Sequence, residues 1–235
     1  MISFQLTSEQ EELRRLTRRF VQQEIVPVAA TYDRSSAYPW DVLQKGYDLG
    51  LLNESIPSEY GGGGMGVMEA CIIAEELSAG CAGMATNFMA NTLATNPIVL
   101  SGTAEQRAHF LPSFTASLQM AAFCLTEPSG GSDVASLLST VRRDGDDYVL
   151  NGAKTFISNG SVASLYTVFA SLDTSQKHRA ICAFVLPADT PGVRHGRKLE
   201  KMGQRCADTA EVFFEDVRLP RMHLLGAEGD VVDVD

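Results

Sequence analysis

Residues 123–133 combine an apolar run with small and hydroxyl-bearing residues, a pattern that could bind a flat or an anionic ligand. The segment reads FCLTEPSGGSD. Small residues let backbone N–H groups approach a ligand closely, and the hydroxyls of Thr126 and Ser132 supply short hydrogen-bonding groups. Such a loop suits an acceptor-rich ring or a pyrophosphate. Taken alone, the same pattern is equally typical of a surface turn rich in glycine and serine.

A second glycine pattern, at residues 61–66, matches the G-x-G-x-x-G spacing of dinucleotide sites. Such a site requires a strand before the glycines and a helix after them, within a βαβ unit. Pro57 precedes the glycines and argues against a central strand, and the surrounding sequence has helical periodicity. We therefore interpret residues 61–66 as a flexible turn that enters a helix.

Other kinds of catalytic site find little support in the sequence. The chain has no G-x-S-x-G elbow, no C-x-x-C pair and no histidines at metal-ligand spacing, so we predict no metal site. Glu75 and Glu76 are adjacent, and adjacent residues on a helix point in different directions. Glu127 and Asp133, which flank the glycine-bearing loop, are the carboxylates of greater interest.

Composition limits the classes of partner. The chain has 235 residues, with 29 acidic and 19 basic side chains and a formal charge of -10. This balance argues against nucleic-acid binding, which requires basic surfaces to neutralise phosphates. No apolar stretch reaches the length of a membrane span, and the N-terminus lacks the order of a signal peptide. The five cysteines lie mostly in apolar runs, which favours free thiols in a reducing intracellular compartment.

Hydrophobic periodicity predicts helices up to about residue 119. The pairs Thr7 with Gln10 and Thr103 with Gln106 have the spacing of capping boxes. Further helices are predicted at residues 40–50, 67–78 and 86–100. Gly50 suits the left-handed position that ends the first of these.

Short β-rich runs replace the helical pattern after residue 119. They occupy residues 137–143, 148–150, 154–158, 165–171, 180–186 and 210–214. The pairs Asp144-Gly145, Asn151-Gly152 and Asn159-Gly160 predict tight hairpins between several of them. The predicted fold class is α+β. An all-α domain at residues 1–119 is followed by an antiparallel β domain, barrel-like or sandwich, at residues 120–235.

Several motifs occur in a fixed order along nearly the whole chain. They are YGG at residues 60–62, TEP at 126–128, GSD at 131–133, NGxK at 151–154 and MGxR at 202–205. Together they resemble the acyl-CoA dehydrogenase family, and its medium-chain members in particular. An ordered set of motifs is far more specific than any one of them.

The resemblance implies that this chain contributes a wall of an FAD site. Thr126 would hydrogen-bond the pyrimidine end of the flavin ring, and the hydroxyl of Ser158 would reach flavin N5. The family usually has tryptophan where this chain has Phe156, which keeps the aromatic face without the indole N–H. The residues assigned to FAD by this resemblance are Phe123, Cys124, Leu125, Thr126, Gly131, Ser132, Phe156, Ile157 and Ser158.

The resemblance also implies an acyl-CoA substrate. Ser132 would contact the pantetheine arm, while Thr86, Met89 and Leu93 would line the acyl pocket from one face of a helix. Without the resemblance, these three side chains are better explained as core packing. The family reaction is α,β-dehydrogenation of the thioester, and an electron-transferring flavoprotein then reoxidises the flavin.

In the family, a C-terminal four-helix bundle follows the β domain, supplies the catalytic glutamate and builds a homotetramer. The sequence ends at Asp235, and residues 226–235 begin like the family linker and then become acidic. We therefore expect the bundle to be absent and the general base to lie beyond Asp235, and we assign no catalytic residue within the chain.

Three hypotheses follow for function. The first is an acyl-CoA dehydrogenase that is complete only with the bundle. The second is a non-catalytic fragment or partner subunit that binds acyl-CoA or flavin. The third is an enzyme resembling acyl-CoA oxidases, which pass electrons directly to oxygen. For each, the expected compartment is the cytoplasm or the mitochondrial matrix.

Overall fold

The computed structural model describes residues 5–229, and the acidic positions 230–235 of the predicted linker lie outside them. Helices make up the first part of the described chain. They are α1 (Ser8–Phe20), a π-helical turn (Val21–Ile25), α2 (Val26–Ser35), α3 (Trp40–Asp48), α4 (Val67–Gly80), α5 (Ala82–Ser101), α6 (Ala104–Phe110) and α7 (Pro112–Ala116).

Local sequence signals account for several helix ends. Thr7 with Gln10 and Thr103 with Gln106 form reciprocal capping boxes at α1 and α6, so both predictions are confirmed. Gly50 adopts φ +72° two residues after α3 ends, as predicted for a left-handed terminator.

The glycine turn at residues 61–66 has no strand before it. A short 3₁₀ turn, Ser58–Tyr60, precedes the glycines, and α4 follows them. Gly62 lies so close to the chain that an added Cβ would stand 2.0 Å from the carbonyl oxygen of Ile56. The interpretation as a turn entering a helix is confirmed, and the glycine at position 62 has a packing reason.

Eight strands in the described residues form one mixed sheet. They are β1 (Ala121–Cys124), β2 (Thr140–Asp144), β3 (Asp147–Ser158), β4 (Leu165–Ser171), β5 (Ile181–Pro187), β6 (Val193–His195), β7 (Thr209–Leu219) and β8 (Leu224–Leu225). The order is β6-β7-β3-β2-β4-β5-β8, with β1 paired to β4. A helical part followed by a sheet domain is therefore confirmed.

Two features of the sheet differ from the sequence prediction. The pairs β1–β4 and β2–β4 are parallel, whereas the prediction was antiparallel throughout. Parallel neighbours are not joined by tight turns, so turn residues could not reveal them. The Asn151-Gly152 pair does not form a hairpin either. It lies inside the single long strand β3, at a register shift against β7 between Leu150 and Gly152, so the hairpin prediction was wrong there.

The chain divides into two compact units. Unit 1 comprises Met1–Met89 and Glu200–Ala207, and unit 2 comprises Ala90–Leu199 and Asp208–Asp235. The change from helix to strand falls between Ala116 and Ala121. The domain boundary near residue 120 stays a prediction.

The core of unit 2 is formed by the inward side chains of the sheet. Large aromatic residues fill it, with Tyr148 packed edge-on against Phe184 and Tyr166 edge-on against Phe214. Each of these four side chains is at most 1% exposed. This dense packing gives the loops that leave β1 and β3 a rigid base.

Candidate functional site

A concavity of about 270 Å³ lies in unit 2 beside the ends of β1 and β3. Three segments of the chain line it, namely the second half of α5, the end of β1 with its following loop, and the end of β3. The lining residues are Ala90, Leu93, Phe123, Leu125, Thr126, Phe156, Ile157 and Ser158. Its wall is therefore mainly apolar and aromatic, with hydroxyls on two residues, which is the usual character of a small-molecule site.

Seven of the residues singled out from the sequence meet at this concavity, and the others lie elsewhere. Cys124 is fully buried in the core of unit 2, because alternate residues of β1 point to opposite faces. Gly131 lies next to Thr126, with 3.1 Å between an added Cβ and the Thr126 methyl carbon. Ser132 is exposed. Thr86 and Met89 precede Leu93 on α5 and belong to unit 1.

Phe156 has the least ordinary backbone of the lining residues. It adopts a left-handed φ of +57°, and its side chain is 68% exposed. The register of β3 against β7 shifts between Lys154 and Ile157, so a bulge at this point turns the ring outward. A bulky residue in this conformation is strained, and strain of this kind concentrates at functional sites.

The turn after β3 is anchored by Asp208. Its carboxylate is 1% exposed and accepts hydrogen bonds from the Ser161 backbone N–H at 2.8 Å and from the Ser161 hydroxyl at 2.7 Å. The side-chain amide of Asn159 donates to the carbonyl oxygen of Ala121 in β1 at 3.3 Å. These bonds fix the end of β3, and with it Ser158, against β1.

A buried ion pair joins the loop to β3. The Lys154 ammonium lies 2.7 Å from Oε1 of Glu127, and the two side chains are 0% and 3% exposed. Lys154 also donates to the Leu125 carbonyl oxygen at 3.1 Å. The Glu127 carboxylate accepts the backbone N–H groups of Leu138 at 2.6 Å and Ser139 at 2.9 Å. The ion pair thus forms hydrogen bonds with three backbone groups, one carbonyl oxygen and two N–H groups.

Both members of this pair have shifted pKa values. Burial raises the pKa of Glu127, but the hydrogen bonds from Lys154 and from residues 138 and 139 outweigh burial, so the net shift is downward. Burial lowers the pKa of Lys154, and Glu127 opposes that shift in part. Glu127 is therefore an ionised structural acceptor rather than a free carboxylate facing the concavity. Asp133, the other carboxylate singled out from the sequence, is exposed and accepts the Ser136 hydroxyl at 2.5 Å.

The sequence patterns assigned no role to Lys154 or Asp208. Lys154 lies within the NGxK motif that carries the resemblance, and Asp208 follows the MGxR motif by three residues. Their partners are far away in the chain, so no local spacing could identify them. For Lys154 the available signal was a charged residue at the start of the predicted strand at residues 154–158, whereas Asp208 precedes the predicted strand at 210–214.

Unit 1 contains a second pair of interacting polar groups, formed by two cysteines. Cys81 immediately precedes α5, and Cys206 lies close to the start of that helix, 2.9 Å from an added Cβ on Gly83. A hydrogen bond from Cys206, supported by the backbone N–H groups of Met84 and Gly83, lowers the pKa of Cys81 to about 6. The same bond raises the pKa of Cys206. All five cysteines of the chain are free thiols.

Within residues 5–229, no three histidine, cysteine, aspartate or glutamate side chains are grouped so that they could hold a metal ion. Nor does any helix in that range combine the length and apolar character required to cross a bilayer.

Comparison with known families agrees with this order of a helical part followed by a mixed sheet. The family model "Acyl-CoA dehydrogenase, N-terminal domain" matches residues 7–117, and "Acyl-CoA dehydrogenase, middle domain" matches residues 122–217. The chain belongs to the acyl-CoA dehydrogenase family.

Curated relatives include both medium-chain and short-chain enzymes. The chain is 38% identical over 231 residues to a probable medium-chain specific acyl-CoA dehydrogenase of Caenorhabditis briggsae, covering 97% of this chain and 57% of that protein. It is also 38% identical over 231 residues to the short-chain specific acyl-CoA dehydrogenase of Rattus norvegicus, covering 97% of this chain and 55% of the relative. The chain thus spans little more than half the length of the curated relatives it matches.

Solved structures of acyl-CoA dehydrogenases also superpose closely on this chain. Butyryl-CoA dehydrogenase from Megasphaera elsdenii superposes with a TM-score of 0.91 at 34% identity, covering 97% of this chain and 61% of that one. A glutaryl-CoA dehydrogenase from Mycobacterium smegmatis, in complex with FADH2, superposes with a TM-score of 0.87 at 30% identity, covering 95% and 57%.

Proposed function

We propose that this chain forms one wall of the flavin site of an FAD-dependent acyl-CoA dehydrogenase. The observation that carries the proposal is the meeting of two distant segments, around Thr126 and Phe156, at one concavity. A strained, outward-facing aromatic ring and two hydroxyl-bearing residues line the same space, and a flat heteroaromatic ligand uses both kinds of group.

The residues present fit an isoalloxazine ring. Phe156 offers an exposed aromatic face, while Leu125 and Ile157 offer apolar contact. The hydroxyls of Thr126 and Ser158 supply hydrogen bonds for the ring edge. FAD, when bound, supplies the hydride acceptor for the reaction, which no side chain can provide. Phe123, which lines the concavity, and Gly131 and Ser132 of the following loop are proposed as further contacts of FAD. Cys124 is proposed to contribute its backbone only, because its side chain is buried in the core.

The proposed reaction removes the α proton of an acyl-CoA thioester together with a hydride from its β carbon. The chain's own contribution is to bind and orient the substrate beside the flavin wall and to exclude water from it. None of the eight residues lining the concavity is a carboxylate. We therefore propose that the general base comes from a residue outside this lining, as the C-terminal bundle supplies it in the family that the sequence resembles.

The proposed acyl pocket is carried by α5. Met89 and Leu93 are 47% and 53% exposed, so both side chains are available for apolar contact with a ligand. Thr86 lies one turn before Met89 and donates to the Ala82 carbonyl oxygen at 2.9 Å. Ser132 is proposed to contact the pantetheine arm. A series of acyl-CoA substrates of increasing length would show which chain length the pocket prefers.

The proposed partners follow from family membership. They are an electron-transferring flavoprotein as electron acceptor and further copies of the chain in a homotetramer. The five free thiols favour a reducing compartment, either the cytoplasm or the mitochondrial matrix.

A flavin titration followed by an acyl-CoA titration tests the proposal. The purified chain is expected to bind FAD, seen as quenching of flavin fluorescence, and to bind FMN less tightly. Anaerobic addition of butyryl-CoA or octanoyl-CoA is then expected to bleach the flavin absorbance once a C-terminal helical bundle of the family is supplied. Failure of the chain to bind FAD at any accessible concentration would refute the proposal.

The absence of a carboxylate from the lining also supports a second candidate function, a flavin-binding or acyl-CoA-binding module without turnover. FAD binding without bleaching, in the presence of the additional segment, would favour it. Release of peroxide in air at the rate of substrate consumption would instead indicate an oxidase.

A further inference from the structure

We propose that the Glu127–Lys154 pair is a positioning element of the flavin wall, which fixes the backbone of Leu125 and Thr126 against β3. The inference rests on the proposed function and assigns it two positioning residues. Neither side chain lines the concavity, so both act through the residues that do.

The pair holds both ends of one loop to the same strand. Lys154 in β3 donates to the Leu125 carbonyl oxygen at 3.1 Å, at the start of the loop. Glu127 accepts the Leu138 and Ser139 backbone N–H groups at 2.6 Å and 2.9 Å, at the end of the loop. The loop between residues 125 and 139 is therefore closed by one ion pair.

A backbone hydrogen bond next to the ion pair joins two residues at the wall of the concavity. The Thr155 N–H donates to the Thr126 carbonyl oxygen at 2.9 Å. Thr126 takes part in this bond, and Phe156 directly follows Thr155. Both Thr126 and Phe156 line the concavity. Displacement of Lys154 would therefore move both sides of the wall.

A tight turn completes the arrangement. The backbone groups of Glu127 and Gly130 exchange two hydrogen bonds, both 3.0 Å long. This turn limits the directions that the Glu127 side chain can take. Because the carboxylate is 3% exposed and uses both oxygens, it is not available as a base for a substrate in the concavity.

Stability alone does not account for a buried pair of this kind. An ion pair in a protein interior loses much of its attraction to desolvation, and apolar side chains of similar volume often replace such pairs without loss of stability. Here the charges are used to hold three backbone groups in fixed positions, a task that apolar side chains cannot perform. Positioning therefore explains why charged residues occupy these core sites.

The test compares Lys154→Met with an exposed ion-pair variant in the same unit. Arg218→Met is the matched control, since Arg218 pairs with Asp144 on the surface of the sheet. Lys154→Met is expected to weaken FAD binding at least tenfold and to accelerate hydrogen exchange of the Thr155 amide at least tenfold. The absorption band of the bound flavin is also expected to shift, whereas Arg218→Met changes none of these.

A double variant, Glu127→Gln with Lys154→Met, keeps the test valid if Lys154→Met fails to fold, because it leaves no unpaired buried charge. It is expected to melt cooperatively and still to bind FAD at least tenfold more weakly. Equal FAD affinity and an equal flavin spectrum in wild type and folded variants would overturn the positioning role. Absence of FAD binding to wild type would instead overturn the proposed function.

Discussion

Replacement of Phe156 by glycine and by alanine separates the strain at this residue from its contact with a ligand. Its φ of +57° is unfavourable for any side chain with a Cβ, and 68% of the residue is exposed. Glycine removes both the strain and the ring, whereas alanine removes the ring and keeps the strain. The two variants therefore share the loss of ligand contact and differ only in backbone energy.

The expected size of the difference follows from two opposing terms. The left-handed conformation costs a residue with a Cβ about 1–2 kcal/mol. Glycine in turn destabilises the folded state by roughly 0.5–1 kcal/mol relative to alanine, because the unfolded chain has more conformational freedom at a glycine. At the midpoints of these two ranges, Phe156→Gly should be more stable than Phe156→Ala by about 0.75 kcal/mol, which is roughly 1–3 °C in Tm for a chain of this size. Inside a strand the alanine variant is normally the more stable one, so this order of stability is reversed.

Both variants should bind FAD more weakly by about 1–3 kcal/mol, or roughly 5- to 150-fold, which is the range seen when an aromatic stacking partner is removed. Thermal unfolding of the chain without FAD measures the difference in stability between the two variants, and fluorescence titration measures their affinity for FAD. An alanine variant as stable as the glycine variant would refute the strain at this position. Unchanged FAD affinity in both would refute the assignment of Phe156 to the flavin wall.

Three further predictions concern packing and protonation. Gly152→Ala should destabilise unit 2 by about 1–3 kcal/mol in denaturant unfolding, because the new Cβ would stand 2.2 Å from the Ser139 hydroxyl oxygen. Asp208→Ala should destabilise the fold by about 1–3 kcal/mol, since it leaves the part-buried backbone N–H and hydroxyl of Ser161 without their acceptor. Cys81 should react with iodoacetamide at a rate that rises through about pH 6, where its depressed pKa lies, because the thiolate is the nucleophile and forms as pH increases. In Cys206→Ala the midpoint of that rise should move to higher pH, as followed by mass spectrometry of the alkylated peptide.

Each of these predictions has a matched comparison in the same chain. Gly130 has open space around an added Cβ, so Gly130→Ala should leave stability unchanged within about 0.5 kcal/mol. Asp173 accepts the backbone N–H and hydroxyl of Ser175 in the same manner as Asp208, but it is exposed, so Asp173→Ala should have a far smaller effect. A Cys81 reaction rate independent of the substitution at position 206 would contradict the role given to the second thiol.

Features set by neighbouring residues could be predicted from the sequence. The capping boxes at Thr7 and Thr103 and the left-handed Gly50 each depend on atoms within a few positions along the chain. The strand at residues 165–171 was also predicted with its observed bounds, since its β-branched and aromatic residues are bordered by clear breaks.

Features set by distant partners could not be predicted in this way. Asn151-Gly152 has the preferred composition of a hairpin turn, yet pairing with β7 holds it within one strand. The parallel pairing of β1 with β4 joins segments that no short turn connects. The π-helical turn Val21–Ile25 continues α1 into α2, and Pro27 lies in the first turn of α2, where it cannot donate a backbone hydrogen bond. The sequence pattern did not predict this continuous helix.

In the candidate site, too, some features could be predicted from neighbouring residues and others depend on distant partners. The residue types at 123–133 indicated a ligand loop, and an ordered set of motifs made the resemblance specific. Lys154, which holds this loop, and Asp208, which holds the turn after β3, could not be identified, because their roles depend on partners that are distant in the chain.

The discontinuity of unit 1 has a consequence for the order of events during protein synthesis. Unit 1 includes Glu200–Ala207, and the guanidinium of Arg205 in that segment pairs with the Asp33 carboxylate at 2.5 Å. All of Ala90–Leu199 must therefore leave the ribosome before the first ninety or so residues can acquire their last contacts. A nascent chain released before residue 207 would carry an incomplete unit 1, and chaperones would meet it in that state.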